Sequence, residues 1–433
     1  MPTRAAARRS ADAYLSSRVR FGIKFGLETM RALCAALGHP ERAFPTLLVA
    51  GTNGKGSVVA YVDAALRASG LAVGRYTSPH LVRVNERIAV GGRDVGRAAF
   101  EAAVGRVRAA AARLVRARTI PAHPTYFEAL TAAALDHFRR AGVDVAVLEV
   151  GMGGRLDATN VADPIASAIV SVEKDHEAFL GSTLDAIARE KAGVLRPGRA
   201  TVVGPLAPEA RAAVEAEAAA AGARLVDARD GVQTRDAAGG LEVQTPRFTY
   251  RGVRVLAGAH QVDNALVALR LLEEARAAGL AVDLSAASAA LGHARWPGRL
   301  ERVIIKGSPP LLLDGAHNPA AARALAAHLA PGPPFVLVFG VMADKDVEAM
   351  ARILFPLARA VVLTRAPTDR AAAPEEIARR AGAAAAGAQQ EPDPRRALAR
   401  AQRQAPPGGQ VVVAGSLYLV GAVKRILKKK TLA

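Results

Sequence analysis

Cysteine and aromatic residues are scarce in this chain of 433 residues. The single cysteine, Cys34, excludes an intramolecular disulfide and favours a reducing compartment. Cys34 lies in the amphipathic stretch RALCAALG, so we expect it to be a buried core thiol. Aromatic residues make up 4% of the chain and hydrophobic residues 51%. The hydrophobic cores must therefore be built mainly from alanine, valine and leucine.

Long apolar runs are also missing. The basic stretch MPTRAAARRSADAYLSSRVR has no apolar segment after it, which argues against a secretory signal and leaves an organelle transit segment as the weaker alternative. The longest apolar stretch towards the other end, VVVAGSLYLVGAV, is too short to span a bilayer. These absences predict a cytoplasmic protein that has no membrane partner.

Acidic residues are outnumbered by basic ones, 39 to 58, which gives a net charge of +19. Such a charge is compatible with nucleic-acid binding. The arginines, however, are scattered among alanines, as in RVRAAAARLVRART, and no segment interleaves basic and aromatic residues as single-strand binders do. We therefore expect solvated basic helix faces and no nucleic-acid partner.

The order of apolar and helical patterns predicts two α/β domains. The chain is longer than one core usually serves. Short runs that are apolar on both faces alternate with helical patterns, which is typical of a parallel sheet covered on both sides. In the first part the predicted strands are 46–50, 143–150, 166–172 and 200–203, and the predicted helices are 57–69, 128–140 and 184–194.

The pattern changes twice after that. Residues 225–256 contain short alternating pieces around Gly239-Gly240 and predict a small antiparallel hairpin. After the turn-rich joint Trp296-Pro297-Gly298, strands are predicted again at 311–313, 335–339, 360–363 and 410–414. The predicted fold is α/β: a P-loop-type, mostly parallel sheet with a small hairpin in residues 1–296, and a smaller Rossmann-like domain in residues 297–433.

The stretch LLVAGTNGKGSVVAYVDAAL resembles a phosphate-binding loop but departs from the usual motif. The usual pattern is G-x-x-x-x-G-K-[ST]. Here the motif residues are Gly51, Gly54 and Lys55. Lys55 is followed by Gly56, and the hydroxyl residue, Ser57, comes one position later than the motif requires. The stretch follows a predicted strand and opens a predicted helix, which is the context that a phosphate loop requires. It predicts nucleotide binding, with Ser57 contacting either phosphate or metal.

Other polar residues follow predicted strands. Glu149 ends a buried strand in VAVLEVGMGGRLDATN, where a Mg²⁺ ligand beside the phosphate loop is needed. His176 follows the next strand in AIVSVEKDHEAFLG, and Asp314 and His317 follow a strand of the second domain in LLLDGAHNPAA. Lys191 lies on a helix in IAREKAGVLRPG, and its spacing alone indicates only a solvated helix face.

Taken in order, these segments resemble the dihydrofolate synthase/folylpolyglutamate synthase family of Mur-type ATP-dependent amide ligases. In that family a glycine follows the lysine of the phosphate loop, so the departure from the usual motif is a family variant. The resemblance extends from about residue 14 to residue 427. The matching runs are AGTNGKGS, YTSPHLVRVNERI, TYFEALTAAAL, LEVGMGGRLDATN, DHEAFLGSTLDAIAREKAG, WPGRLE, DGAHNPAA and AGSLYLVGAVKRIL.

The resemblance implies roles for individual residues. It implies an ATP site made of Gly51, Thr52, Asn53, Gly54, Lys55, Gly56, Ser57, Asn264, Arg299 and Asp314. The Mg²⁺ ligands would be Ser78, Glu149 and His176. Lys191 would be carboxylated to a carbamate, and Lys55 and His317 are the other catalytic candidates. The pteroyl substrate would lie near Lys24, Phe25, Gly26, Leu27, Thr125, Tyr126, Phe127, Glu128, Gly154, Arg155 and Leu156.

The implied activity is a ligation of L-glutamate to dihydropteroate and to reduced folates, through an acyl phosphate formed from ATP. The alternative is a folylpolyglutamate synthase without dihydropteroate activity. An ATP-binding protein with a nucleic-acid or regulatory role is disfavoured, because the residues implied for the ligase site are all present: Lys55, Glu149, His176, Lys191 and Asp314. The family resemblance implies a monomer.

The chain departs from the family pattern at Glu173-Lys174, directly before the Asp-His pair, where the family commonly has small or apolar residues. These two charges predict altered electrostatics beside the metal ligand.

Overall fold

The computed structural model describes residues 10–18 and 26–431, with side chains as far as residue 428. These residues form two compact units. The first contains the described residues up to His80, together with Val84–Val255 and Asp263–Ala294. The second contains Leu81–Arg83, Leu256–Val262 and the described residues from Arg295 onward. No helix within these ranges is long and apolar enough to cross a membrane.

A large, mostly parallel sheet forms the centre of the first unit. Its strand order is β4-β3-β2-β5-β1-β6-β7-β8, and only the pairs β2–β3 and β3–β4 are antiparallel. The strands are β1 Thr46–Ala50, β2 Val73–Tyr76, β3 Ile88–Val90, β4 Arg93–Asp94, β5 Val145–Glu149, β6 Ala166–Ile169, β7 Ala200–Val203 and β8 Arg224–Asp227. Every residue of β1, β5, β6 and β7 is buried, as the two-faced apolar runs predict.

Helices rich in alanine, valine and leucine cover this sheet, and most of them contribute to one core. The helices of the first unit are α1 Ala11–Arg18, α2 Glu28–Ala36, α3 Lys55–Ala68, α4 Arg97–Arg116, α5 Tyr126–Ala141, α6 Glu177–Leu180, α7 Leu184–Ala192, α8 Pro208–Ala221, α9 His260–Ala277 and α10 Leu284–Ala290. The first turn of α9 belongs to the second unit. Short 3₁₀ turns lie at Pro40–Arg42, Val84–Arg87, Ala158–Val161 and Leu291–His293. The predicted helices at 57–69, 128–140 and 184–194 are confirmed as α3, α5 and α7.

The predicted hairpin is present and has a third strand. Its strands are β9 Gln233–Ala237, β10 Gly240–Gln244 and β11 Thr249–Val253. Glu273 of α9 anchors this small sheet, because its carboxylate accepts hydrogen bonds from the hydroxyls of Thr245 (2.5 Å) and Tyr250 (3.1 Å) and pairs with Arg270. The small sheet therefore rests on the helix that also carries Asn264.

The second unit repeats the α/β arrangement on a smaller scale. Its strand order is β12-β13-β17-β14-β15-β16, and every pair is parallel except β12–β13. The strands are β12 Glu301–Val303, β13 Leu311–Leu313, β14 Phe335–Phe339, β15 Ala360–Leu363, β16 Gln389–Gln390 and β17 Gln410–Ala414. The helices are α11 Pro319–Leu329, α12 Val347–Leu354, α13 Pro374–Ala381, α14 Pro394–Gln404 and α15 Leu417–Thr431. Short 3₁₀ turns lie at Phe355–Leu357 and Gly382–Ala385. The predicted fold class is confirmed.

Candidate active site

The phosphate-loop stretch lies between β1 and α3 at the carboxyl edge of the large sheet. Lys55 is the first residue of α3, and its ammonium donates to the carbonyls of Gly51 (2.8 Å) and Thr52 (3.1 Å). Gly56 and Ser57 form the first turn of the helix, where Ser57 is buried. The loop's backbone N–H groups and the helix N-terminus are the features that attract an anion such as phosphate. The geometry is that of a phosphate loop.

The segment after β6 holds this loop in place. The Thr52 N–H donates to the carbonyl of Ser171 (2.9 Å), and the Asn53 N–H donates to the Ser171 hydroxyl (2.9 Å), which donates back to the Asn53 carbonyl (3.0 Å). The Thr52 hydroxyl exchanges hydrogen bonds with the backbone of Glu173. Ser171 was not singled out from the sequence, because it lies inside the predicted strand 166–172, whereas the observed strand ends at Ile169. Glu173 thus fixes the loop through its backbone, while Lys174 is exposed.

Asn264 on α9 lies against the loop, as the family resemblance implies. Gly54 has a left-handed φ of +83°, and a Cβ added there would be 2.3 Å from the Asn264 Oδ1 and 2.8 Å from a methyl of Val170. Only glycine fits this position. Because the carboxamide side chain of Asn264 approaches the loop backbone so closely, α9 and the loop form one surface.

Glu149 and Ser78 are brought together at the same sheet edge. Glu149 ends β5, is 4% exposed, and accepts the Ser78 backbone N–H at 3.0 Å. His176 follows β6 with a left-handed φ of 54° and caps α6, and its N–H donates to the carboxylate of Asp175. No cluster of three or more His, Cys, Asp or Glu side chains suited to a metal occurs in the part of the chain described. The proposed ligands are one hydroxyl, one carboxylate and one imidazole, and the two oxygen donors fit Mg²⁺.

Lys191, a catalytic candidate from the family resemblance, is a buried side chain. The sequence pattern indicated a solvated helix face, but Lys191 is 3% exposed on α7. Its pKa is lowered to about 7, mainly by burial and also by the positive charge of Lys55, while the carboxylates of Asp175 and Asp157 oppose the shift. A lysine in this setting offers a neutral, nucleophilic amine near neutral pH. The interaction with Lys55 places it beside the phosphate loop.

The predicted substrate segment 125–128 opens helix α5. Thr125 and Glu128 form a capping box: the Glu128 N–H donates to the Thr125 hydroxyl and the Thr125 N–H donates to the Glu128 carboxylate. The Phe127 ring lies 5.9 Å from that of Tyr76, at the end of β2. These contacts fix an aromatic surface near the sheet edge that carries Glu149.

The second substrate segment, 154–156, packs against the end of α7. A Cβ on Gly154 would be 2.7 Å from the Lys191 carbonyl oxygen, so the two backbones touch. The Arg155 N–H donates to the Glu190 carbonyl (2.9 Å), its guanidinium pairs with Glu217 (2.7 Å), and Leu156 is exposed. The segment predicted to meet the pteroyl group is therefore in contact with the helix that bears Lys191.

The third substrate segment is only partly described. Gly26 and Leu27 lie immediately before α2, which packs against α5, and Leu27 is buried. Lys24 and Phe25 lie outside the described residues.

Two residues that the sequence analysis did not single out join the segments around Lys191. The Asn160 amide donates to the carbonyls of Arg155 and Gly193, both at 3.0 Å. The Arg196 guanidinium donates to the Asn160 side chain (2.7 Å) and to the Leu195 carbonyl (3.0 Å). Both residues lie inside quoted motifs, Asn160 at the end of LEVGMGGRLDATN and Arg196 within IAREKAGVLRPG, but nothing in the spacing indicated that they would meet.

In the second unit, Asp314, Arg299 and His317 form a local cluster after β13. Both oxygens of the Asp314 carboxylate accept backbone N–H groups, from Leu300 and Ala316, at 2.8 Å. A Cβ on Gly315 would be 2.1 Å from an Nη atom of the Arg299 guanidinium, which therefore lies directly against that glycine. The His317 Nδ1 lies 2.8 Å from the Gly315 carbonyl, which can only accept, so Nδ1 carries the proton.

Comparison with known proteins agrees with this geometry. A model of the Mur ligase middle domain matches residues 49–272, and a model of the Mur ligase glutamate ligase domain matches residues 298–417. The solved structure of Escherichia coli FolC in complex with DHPP and ADP has a TM-score of 0.87 and 30% sequence identity, with 98% of each chain covered.

Two curated relatives differ in length, one being about twice as long as this chain and the other about equal to it. A Haloferax volcanii protein named probable bifunctional folylpolyglutamate synthase/dihydropteroate synthase is 39% identical over 94% of this chain, which spans 49% of that relative. The chain thus covers about half the length of this archaeal protein. The Bacillus subtilis dihydrofolate synthase/folylpolyglutamate synthase is 32% identical, with 96% of this chain and 98% of that protein covered. The chain belongs to the dihydrofolate synthase/folylpolyglutamate synthase family of Mur ligases.

Proposed function

We propose that this chain joins L-glutamate to dihydropteroate and to reduced folates, using ATP and releasing ADP and phosphate. The observation that carries the proposal is Lys191, buried beside Lys55 of the phosphate loop and in backbone contact with the Gly154 segment. The name of the Bacillus subtilis relative and the DHPP and ADP in the Escherichia coli structure support the choice of substrates. A cytoplasmic location and a monomeric state complete the proposal.

The phosphate loop supplies the activation step. A carboxylate is a poor acyl donor, so transfer of the ATP γ-phosphoryl group to it makes an acyl phosphate that the amine of glutamate can attack. Lys55 and the N-terminus of α3 stabilise the negative charge on the transferring group. Asn264 contacts the nucleotide beside the loop that it already touches.

Ser78, Glu149 and His176 would hold Mg²⁺ at this edge. The ion, when bound, neutralises charge on the phosphate oxygens. The fixed Glu149–Ser78 contact supports this assignment, because it orders the carboxylate before any ligand arrives.

Lys191 is proposed to carry a carbamate. Its amine must lose a proton before it can attack CO₂, and its lowered pKa makes the neutral form abundant near pH 7. The positive charge of Lys55 favours an anion at this place for the same reason that it disfavours an ammonium. The product would be a carboxylate-like group beside the phosphate loop.

The two segments at 125–128 and 154–156 are proposed to bind the pteroyl group, together with Lys24, Phe25, Gly26 and Leu27. For the second unit, we propose that Arg299 and Asp314 contact the nucleotide and that His317 acts in the glutamate transfer. We also propose the functional division at residues 296 and 297. The separate family matches at 49–272 and 298–417 support that division.

The test is ADP release by purified protein with Mg²⁺, ATP and L-glutamate, in parallel reactions containing dihydropteroate or tetrahydrofolate. The mass of each product is checked for one added glutamyl group. Turnover with both acceptors is the expected result. Turnover with tetrahydrofolate alone would leave a folylpolyglutamate synthase. No turnover with either, in protein that still binds ADP, would contradict the proposed substrates.

A further inference from the structure

Arg87 is a buried cation without an acidic partner. It ends the 3₁₀ turn Val84–Arg87 and is 7% exposed. In the described part of the chain, no carboxylate pairs with it, and its two Nη groups have no hydrogen-bond partner. Neither Nη atom is both fully buried and unpartnered, so these atoms reach solvent, and a mostly buried cation without a counter-charge is open to an anionic ligand.

Another deeply buried arginine of the first unit shows the ordinary solution. Arg270 is also 7% exposed, and its guanidinium donates to the Glu273 carboxylate at 2.6 Å. Arg270 is therefore neutralised by its own helix. Arg87 has no such partner, although it lies in the same unit.

The guanidinium of Arg87 is nevertheless fixed in orientation. Its Nε donates to the His80 Nδ1 at 3.0 Å, and its Cζ lies 5.3 Å from the centre of the Tyr126 ring. Since arginine can only donate, the His80 Nδ1 is unprotonated and its Nε2 carries the proton of the neutral ring. The imidazole and the aromatic ring hold one edge and one face of the guanidinium, and the Nη edge remains available for a ligand.

The surroundings of Arg87 are those of the candidate active site. Its carbonyl accepts the Thr77 N–H (2.9 Å), and the next residue, Ser78, donates to Glu149. Tyr126 is the first residue of α5 within the segment proposed to bind the pteroyl group. The charge of Arg87 also reaches Tyr76, where it opposes the rise in the phenol pKa that burial causes.

We propose that the Nη edge of Arg87 binds the carboxylate of the pteroyl acceptor, the group that is to be phosphorylated. This inference rests on the proposed function. Arginine presents two parallel N–H donors that match a carboxylate, and such charge-assisted pairs orient as well as attract. A carboxylate held here lies between the aromatic surface of Tyr126 and the sheet edge with Glu149. The pteroyl acceptor is favoured over L-glutamate because the ring stacked on Arg87 belongs to the pteroyl segment.

The test compares acid and amide ligands. Dihydropteroate and its carboxamide, in which the carboxylate is replaced by a neutral amide, are titrated by calorimetry against wild type, R87Q and R87K in the presence of ADP and Mg²⁺. We expect wild type to bind the acid about 10- to 100-fold more tightly than the amide, in line with a charge-assisted, partly buried pair. R87Q should bind both equally, and R87K should fall between, because an ammonium lacks the paired donors.

R270K is the matched control, since it changes a buried arginine that already has a carboxylate. It should keep the acid–amide preference of wild type. R87Q should also keep the ADP affinity, the KM for L-glutamate and the melting temperature of the unliganded protein, because it removes no intramolecular ion pair.

Several results would overturn the proposal: an equal affinity of wild type for acid and amide, a preserved preference in R87Q, or a raised KM for L-glutamate alone. If R87Q does not fold, the wild-type comparison and R87K still decide. Failure of the proposed function is seen separately, as wild-type protein that binds ADP but neither pteroyl ligand.

Discussion

Asn264 on α9 and Gly54 in the phosphate loop are in direct contact, so that a Cβ on Gly54 would be 2.3 Å from the Asn264 Oδ1. Gly54 also has a φ of +83°. Gly54→Ala should therefore displace the loop as well as strain it. We expect the affinity for ADP, measured by calorimetry, to fall at least about tenfold, since phosphate binding depends on the aligned backbone N–H groups.

Gly70→Ala is the matched control. Gly70 has nearly the same φ, +84°, but nothing lies within 4 Å of an added Cβ. Both variants should lose roughly 1 kcal/mol of stability from the left-handed backbone. Only Gly54→Ala should lose ADP affinity. An equal loss of ADP affinity in both variants would show that the contact between Asn264 and the loop is not its cause.

Lys55→Met should abolish ATP-dependent product formation, by about 10²-fold or more, because charge on the transferring phosphoryl group loses its cation. Its second effect is specific to this site. Because the charge of Lys55 lowers the pKa of Lys191, the substitution should raise that pKa. Titration of Lys191 by amine-selective labelling measures the shift. An unaffected rate of product formation would contradict the phosphate-loop assignment.

Lys191→Met should lose turnover while the protein stays folded, if the carbamate is needed. The expected loss is at least about 10²-fold, the scale of removing one charged group from a preorganised site. The variant should bind ADP normally, because Lys191 is not a residue of the phosphate loop. Full activity in Lys191→Met would remove this residue from the mechanism.

The same variant gives a pH test of the burial of Lys191. The pKa falls from its ordinary value of 10.5 to about 7 in the folded protein. Between these values the unfolded chain binds more protons than the folded one, so the stability of wild type rises with pH. In CO₂-free buffer, wild type should gain stability relative to Lys191→Met as the pH rises from 7 towards 10. A constant difference in the free energy of unfolding would show that Lys191 is not desolvated.

Glu149→Gln tests the metal assignment, because glutamine can still accept the Ser78 N–H but carries no charge. We expect turnover to fall about 10²-fold and the Mg²⁺ concentration for half-maximal rate to rise. Glu242→Gln, on the small antiparallel sheet where Glu242 pairs with Arg235, is the control and should match wild type. An unchanged Mg²⁺ requirement in Glu149→Gln would separate this carboxylate from the metal.

The strands could be predicted from the sequence because they are apolar on both faces. Residues 46–50 and 200–203 are strands with the predicted ends, whereas β5 and β6 stop earlier than predicted, at Glu149 and Ile169. The predicted ranges continued through Val150 and Val172, which are buried beyond the last strand residue. Burial and strand pairing are separate conditions, and a hydrophobic pattern reports only the first.

The contacts that assemble the site could not be predicted. Ser171, Asn160 and Arg196 act through hydrogen bonds to backbone carbonyls or N–H groups of distant segments. Such bonds depend on the orientation of loops, which has no periodicity in the sequence. Lys191 is the clearest case, since its helix pattern indicated solvent and the structure buries it. Ion pairs and burial of this kind appear only once the helices are packed.

Activation of the acceptor carboxylate as an acyl phosphate can be tested by isotope transfer. Dihydropteroate labelled with ¹⁸O in its carboxylate is turned over with ATP, Mg²⁺ and L-glutamate, and the released phosphate is examined by mass spectrometry. Because one carboxylate oxygen leaves with the phosphoryl group, we expect one ¹⁸O in each phosphate formed. Unlabelled phosphate, released while the amide product accumulates, would contradict it.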